Sequence, residues 1–295
     1  MKKFLHIRGV TAALVVVCLL CLLHPAAAED NPAYFDWRNV NGKDYTTPIR
    51  SQSVDGSYYA GTCWAFGAVA ALESKLEICY DLPDWNPDLS EQHLVCDGTA
   101  GSATSGWEYK ALQFFVDTGI VTEAELPYTA SNYSPDWPLD PGWEDRVYTI
   151  AGFQKVADVS LDNVKFMLQT YGPLVASMFS PDDWIRRPDS APPTGSIAWD
   201  DPTGGENHTI CVIGYMDDET IDGGGYWIIK NSWGTGYGDN GYYYIPYEVL
   251  ESHNRIYAIT GDAIAPIPEP ASMMLLSAGF ACILTRRSSK RSRTL

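Results

Sequence analysis

Gly61-Thr62-Cys63-Trp64-Ala65-Phe66 runs into apolar residues at helical spacing. Ala65, Val69, Leu72, Leu76 and Cys79 recur at steps of four and three, which marks one face of a helix. Cys63 therefore falls at or just before the helix N-terminus. There the backbone N–H groups without intrahelical partners, and the macrodipole, favour negative charge. A thiol so placed has its pKa lowered toward the reactive thiolate. A cysteine beside Trp and Ala is more often a small buried hydrophobe, and position alone favours that reading. The reactive reading needs a base, an orienting group and an oxyanion donor elsewhere in the chain.

The chain supplies candidates for each. Glu206-Asn207-His208-Thr209-Ile210-Cys211-Val212-Ile213-Gly214-Tyr215 puts a histidine at the head of a buried-strand pattern. Lys230-Asn231-Ser232-Trp233-Gly234-Thr235-Gly236-Tyr237-Gly238 follows, and Ser51-Gln52 lies upstream. Each is ordinary by itself: a histidine opening a strand is a structural hydrogen-bonder about as often as a base, and Asn-Ser-Trp-Gly alone reads as a turn. Their conjunction carries the argument. Cys, then His, then Asn-Ser-Trp-Gly resembles the papain-like cysteine peptidases. Asp36-Trp37-Arg38, Leu89-Ser90-Glu91-Gln92 and Gly241-Tyr242 are similar to further landmarks of that family, in the same order. The resemblance covers roughly Tyr34 to Gly261.

The resemblance implies an α+β, papain-like two-subdomain fold. A helical left domain and an antiparallel β-barrel-like right domain would flank the active-site cleft. It implies a peptide or protein substrate and no cofactor or metal. Cys63 would be the nucleophile and His208 its ion-pair partner and later proton donor. Asn231 would fix the imidazole, Trp233 would cover their contact, and the Cys63 N–H with the Gln52 amide would form the oxyanion hole. Ser105-Gly106 would pair with the substrate backbone, Thr209 would lie near a specificity pocket, and Trp64 would support the site. Two departures stand out. Gln52 lies eleven residues before Cys63, an apparent insertion of five, and Ala60 occupies a position that usually holds a disulfide-bonded cysteine. Two other functions share these residues: a catalytically weak or inactive surface or matrix-binding module, and an acyl-transferring, transpeptidase-like enzyme using the same acyl-enzyme.

The ends differ from the body. The net charge is −17, but eight of the 20 basic residues lie in residues 1–28 and 271–295, which hold no acid. The middle keeps 12 bases against 37 acids, a net of −25. Such a body repels nucleic acid and anionic lipid. Residues 1–28 read as a signal peptide: Lys2, Lys3 and Arg8, an apolar run from Val10 to Leu23, then Ala26-Ala27-Ala28. Residues 29–262 would be the peptidase domain, and the short gap from Ala28 to Asp36 leaves little room for an inhibitory pro-region. Residues 263–270 read as a linker ending in Pro268-Glu269-Pro270, and 271–295 as a hydrophobic segment with a basic tail. The apolar run to Leu284 reaches about half to two-thirds of a comfortable transmembrane helix. A short anchor with its arginines held inside is one reading. The tripartite order resembles the PEP-CTERM sorting signal of Gram-negative bacteria. That implies export across the inner membrane, an exosortase-type partner, transient anchoring, and delivery to the cell surface or an extracellular polysaccharide matrix.

Within the body, Cys79 and Cys96 flank a turn-rich segment and could pair, while Cys211 reads as a buried thiol. The periodicity predicts a short helix capped by Ser90, a helix from Gly106 to Thr118 closed by Gly119, and a helix capped by Ser160 and ended by Gly172-Pro173. It predicts strands at Val147–Phe153, Leu174–Met178, His208–Tyr215, Tyr226–Lys230 and Gly241–Ile245. Pro127 to Gly142 reads as the crossing between halves, and Ser180 to Gly205 as a surface loop.

Overall fold

The computed structural model describes residues 31–56, 59–131, 139–181, 205–221 and 223–266. The expected signal peptide, most of the expected 180–205 loop, part of the expected 127–142 crossing and the C-terminal tail lie outside the described residues.

The helix that begins at Cys63 is α1, Cys63–Tyr80. The sequence predicts one apolar face, but nearly the whole helix is buried, Glu73, Lys75 and Glu77 included, while Cys79 is exposed. The reason lies in the packing. Ala68, Val69, Ala71, Leu72 and Leu76 join a core shared with the two other helices of this half and with one face of a sheet. Those helices are α2, Glu91–Asp97, and α3, Glu108–Asp117. Ser90 caps α2, its Oγ accepting from the His93 N–H at 3.1 Å, the usual N-cap contact. Gly119, with φ of +82°, follows α3 in the left-handed conformation that glycine adopts without penalty.

The second half is an antiparallel sheet. Its strands are β1 (Tyr34–Asp36), β3 (Gln154–Lys155), β4 (Leu174–Met178), β5 (His208–Asp217), β6 (Gly225–Lys230), β7 (Tyr242–Pro246) and β8 (Ile256–Ala258). They run β3-β8-β4-β5-β6-β7, with β1 pairing the distal half of β5. Alternation along the strands divides two cores. Val175, Cys211, Ile213 and Ile228 face the helical half. Leu174, Ala176, Ile210, Val212, Trp227 and Ile229 face a second cluster, as the two-residue period of a strand requires. Helix α4 (Leu161–Tyr171) and helix α5 (Tyr247–Ser252) supply that second cluster through Val164, Leu168, Val249 and Leu250.

Some expectations differ from the structure. Ser160 stands at the N-cap of α4, but its hydroxyl makes no capping bond. The predicted strand at 147–153 shrinks to β2, Thr149–Ile150, which pairs with β9, Ala263–Ile264. That pairing carries the folded body past the predicted domain end at 262. Cys79 and Cys96 do not bond to each other, Cys96 being buried with Gln92 Nε2 at 3.1 Å from its sulfur. Among the described residues no helix is long and apolar enough to cross a membrane.

Candidate active site

Cys63 opens α1, and His208 opens β5. The two elements pack closely because Gly67, one turn along α1, has no side chain: a Cβ there would stand 3.0 Å from Thr209 Cγ2. This brings the start of the helix against the start of the strand. Cys63, His208 and Thr209 line one cleft of about 180 Å3, together with Trp64, Ser105 and Gly106. Gly106 lies against the Trp64 indole; a Cβ would fall 2.6 Å from its Nε1. The same indole donates to the Ser102 carbonyl at 3.3 Å, so Trp64 holds the Ser105-Gly106 wall in place.

Asn231 follows β6 directly. Its Oδ1 lies 2.9 Å from His208 Nε2 and also accepts the Ser232 N–H at 2.8 Å. An amide turned the other way would set two donors against each other, so the Ser232 N–H fixes the sense of Asn231. The imidazole must then carry its proton on Nε2, which leaves Nδ1 as the proton-accepting nitrogen of the neutral ring. The Trp233 indole stacks on His208, with centroids 4.7 Å apart. Tyr59 and Tyr243 close edge-on against Trp233.

Burial dominates the electrostatics. It pushes the Cys63 thiol up, while hydrogen bonds from the Thr209 and Trp64 backbones pull back part of the shift. It lowers the His208 imidazole to about 4, against the opposing pull of Asn231. A helix start alone predicts a lowered thiol. Desolvation outweighs the helix end here, and each group taken singly is held neutral.

Gln52 does not line that cleft. Its Nε2 donates to the Ala60 carbonyl at 2.5 Å and its Oε1 accepts from Ser232 Oγ at 2.7 Å. Backbone ties set it beside the Asn231 loop: Gln52 N–H to Ser232 O at 2.8 Å, and an antiparallel bridge from Ser51 to Trp233. The apparent insertion is closed at its base by a bridge between Ser53 and Tyr59. Tyr128 joins these parts. Its hydroxyl donates to the Gln52 carbonyl at 3.1 Å, so the Thr62 hydroxyl, 2.6 Å away, donates to it. Nothing in the sequence pattern singled out Tyr128 or Tyr59. Ser232 could have been found, since it sits within the Asn-Ser-Trp-Gly motif. Arg255, which lines the cleft, is also missing from the sequence reading because its role depends on two glutamates remote in the chain.

Between the halves lies a buried charged cluster that hydropathy does not reveal. Lys230 Nζ donates to Thr47 Oγ1 at 2.7 Å, and that hydroxyl donates to Glu73 Oε2 at 2.5 Å. Burial lowers the Lys230 ammonium and raises the Glu73 carboxyl. Among the described residues no cluster of histidine, cysteine and carboxylate side chains is arranged to hold a metal.

Comparison with known proteins places this geometry. The model of the papain family cysteine proteases matches residues 31–266, and that of the PEP-CTERM protein-sorting motif matches residues 266–290. A cysteine protease of Blomia tropicalis is 33% identical over 227 residues, covering 72% of this chain and 61% of the relative. Cathepsin S of Mus musculus is 32% identical over 220 residues, covering 72% and 57%. The chain thus spans about three fifths of the length of these relatives. A solved structure of a digestive procathepsin L2 proteinase from the larval midgut of Tenebrio molitor superposes with a TM-score of 0.60 at 25% identity, covering 82% of this chain and 70% of that one. With the family match extending over nearly all of the described fold, the chain belongs to the papain family of cysteine proteases.

Proposed function

We propose that the protein is an exported cysteine endopeptidase that hydrolyses peptide bonds through Cys63, His208 and Asn231. The observation that carries the reading is the His208–Asn231 bond beneath Trp233, at the edge of the cleft that Cys63 also lines. His208 Nδ1 takes the Cys63 proton as the sulfur attacks the scissile carbonyl. The tetrahedral oxyanion is met by the Cys63 N–H at the start of α1. The imidazolium then gives its proton to the leaving amine and a thioester remains. Water, deprotonated by the same nitrogen, releases the acid and restores the thiol. Gln52 becomes the second oxyanion donor through the Nε2 hydrogen that the Ala60 carbonyl does not take, a planar amide nitrogen carrying two.

The test is labelling of the purified full chain with an epoxide inhibitor of thiol peptidases, followed by mapping of the labelled residue. The label is expected on Cys63, and Cys63→Ser is expected to lose both labelling and peptide hydrolysis. Hydrolysis by Cys63→Ser at the wild-type rate would overturn the assignment. The orientation of Gln52 and the burial-raised thiol favour a second reading, a catalytically weak surface module; it predicts a folded protein whose Cys63 stays unlabelled. Acyl transfer would show as ligated product when an amine nucleophile is added.

The C-terminal motif supports sorting of the body to the cell surface or an extracellular matrix by an exosortase-type enzyme of a Gram-negative host. Intact-mass analysis of the surface form is expected to show loss of the segment after about Pro270. The full tail on that form would refute processing.

A further inference from the structure

The far wall of the Cys63–His208 cleft is built from an ion network that the proposed chemistry does not use. Arg255, just before β8, reaches across to Glu108 at the start of α3. Its Nε donates to Glu108 Oε1 at 2.8 Å and its Nη2 to Oε2. Its Nη1 donates to Glu206 Oε2 at 3.2 Å. The guanidinium also lies 4.7 Å from the centre of the exposed Trp107 ring. Glu108 is fully buried, whereas the Glu206 side chain keeps 25% of its exposure. Both Glu206 and Arg255 line the cleft that holds Cys63 and His208.

Two consequences follow. The network carries two carboxylates against one guanidinium, so one negative charge is left over, and Glu206 is its accessible end. Among the described residues that line the cleft, none has an aliphatic side chain; the walls are chiefly glycine, serine, threonine and these charges. A bulky apolar group entering here would remove charged and hydrogen-bonding groups from water without replacing their partners, which is costly. A basic or short polar group would meet a partly solvated carboxylate at its end.

We propose that Arg255, clamped by Glu108 and Glu206, determines specificity in this cleft: it makes one substrate side chain beside the scissile bond basic or short and polar, and it excludes bulky aliphatic ones. The proposal rests on the cysteine peptidase reading above. Arg255 works by occupying the volume an aliphatic side chain would need, and Glu206 by pairing with the incoming cation.

The experiment uses the full-length protein; labelling of one aliquot at Cys63 by the epoxide inhibitor first establishes that the untreated remainder carries a competent site. A fluorogenic peptide library varied one position at a time then gives kcat/KM. At one position, Lys or Arg is expected to exceed Leu and Phe by about tenfold, the scale on which a single pocket contact discriminates. Glu206→Gln should reduce Lys and Arg to the level of Gln while Leu stays poor. The triple variant Glu108→Leu/Arg255→Leu/Glu206→Gln removes the guanidinium together with both of its carboxylate partners, so that no charge is left unpaired. It should reverse the preference toward Leu at that same position and no other. Thermal unfolding checks that the triple variant folds; Glu206→Gln alone, at a partly exposed site, tests the proposal without it. A wild type whose aliquot labels at Cys63 but which prefers Leu or Phe at every selective position would overturn the inference while leaving the peptidase reading intact. So would a folded triple variant whose aliquot labels at Cys63 and whose profile is unchanged. Failure of Cys63 to label would overturn both.

Discussion

Replacing Asn231 tests the site most directly, because one oxygen atom holds two donors. Asn231 Oδ1 is 2.9 Å from His208 Nε2 and 2.8 Å from the Ser232 nitrogen, and the residue is buried. Asn231→Ala leaves both donors without an acceptor, and an unsatisfied buried donor costs about 1–3 kcal/mol. The imidazole also loses the contact that fixes its proton on Nε2. If about 2 kcal/mol of that loss falls on the transition state, kcat drops roughly 30-fold. Asn231→Asp keeps the acceptor but adds a charge. A carboxylate at this distance favours the imidazolium and raises its pKa by about 1–3 units. The starting point is the burial-depressed value of about 4. Below its pKa the imidazole already holds the proton it must take from Cys63, so activity falls as pH drops through that value. The acid limb of kcat/KM should therefore move from about 4 in the wild type to higher pH in Asn231→Asp. The assay is kcat/KM for a fluorogenic peptide against pH, with the rate of Cys63 alkylation by iodoacetamide measured in parallel. Asn231→Ala with wild-type kcat, together with Asn231→Asp showing an unmoved acid limb, would refute the assigned roles of both residues.

Three further outcomes are expected. Gln52→Ala should lower kcat about 100-fold if the amide serves the oxyanion, and an unchanged kcat in steady-state assays would leave Gln52 as a strut between Ala60 and Ser232. Gly106→Ala should destabilise the fold by about 1–3 kcal/mol through overpacking against Trp64, and should raise KM as the Ser105–Gly106 wall shifts; an unchanged denaturant midpoint together with unchanged peptide kinetics would count against it. Lys230→Met leaves the buried Glu73 carboxyl without its nearby cation and should cost about 3 kcal/mol or more. The double variant Lys230→Met/Glu73→Gln should recover most of that loss in chemical denaturation, and failure to recover would show that the two charges do not act together.

The sequence by itself determined the long elements, and it put Cys63 and His208 at the starts of two of them and Asn231 just after a third. Helical spacing after Cys63, the apolar runs at Leu174–Met178, His208–Tyr215 and Tyr226–Lys230, and the Asn231-Ser232-Trp233 turn are local signals, written in a few neighbouring residues each. Short edge strands were not legible: β3, β8 and β9 are two or three residues long and exist only because a longer strand offers them partners. The single apolar face expected of α1 gave way to burial nearly all round as far as Glu77, since other helices and a sheet enclose most of the helix. Only the tertiary structure decided the electrostatics. A helix start predicts a lowered thiol, and the depth of the cleft reverses the sign for Cys63. Glu73 and Lys230, or Glu108, Glu206 and Arg255, look like solvated charges along the chain. They become buried or cleft-lining groups because packing of the two halves brings them together across long stretches of sequence. Burial and pairing between distant residues depend on the closed fold, and no local pattern records them.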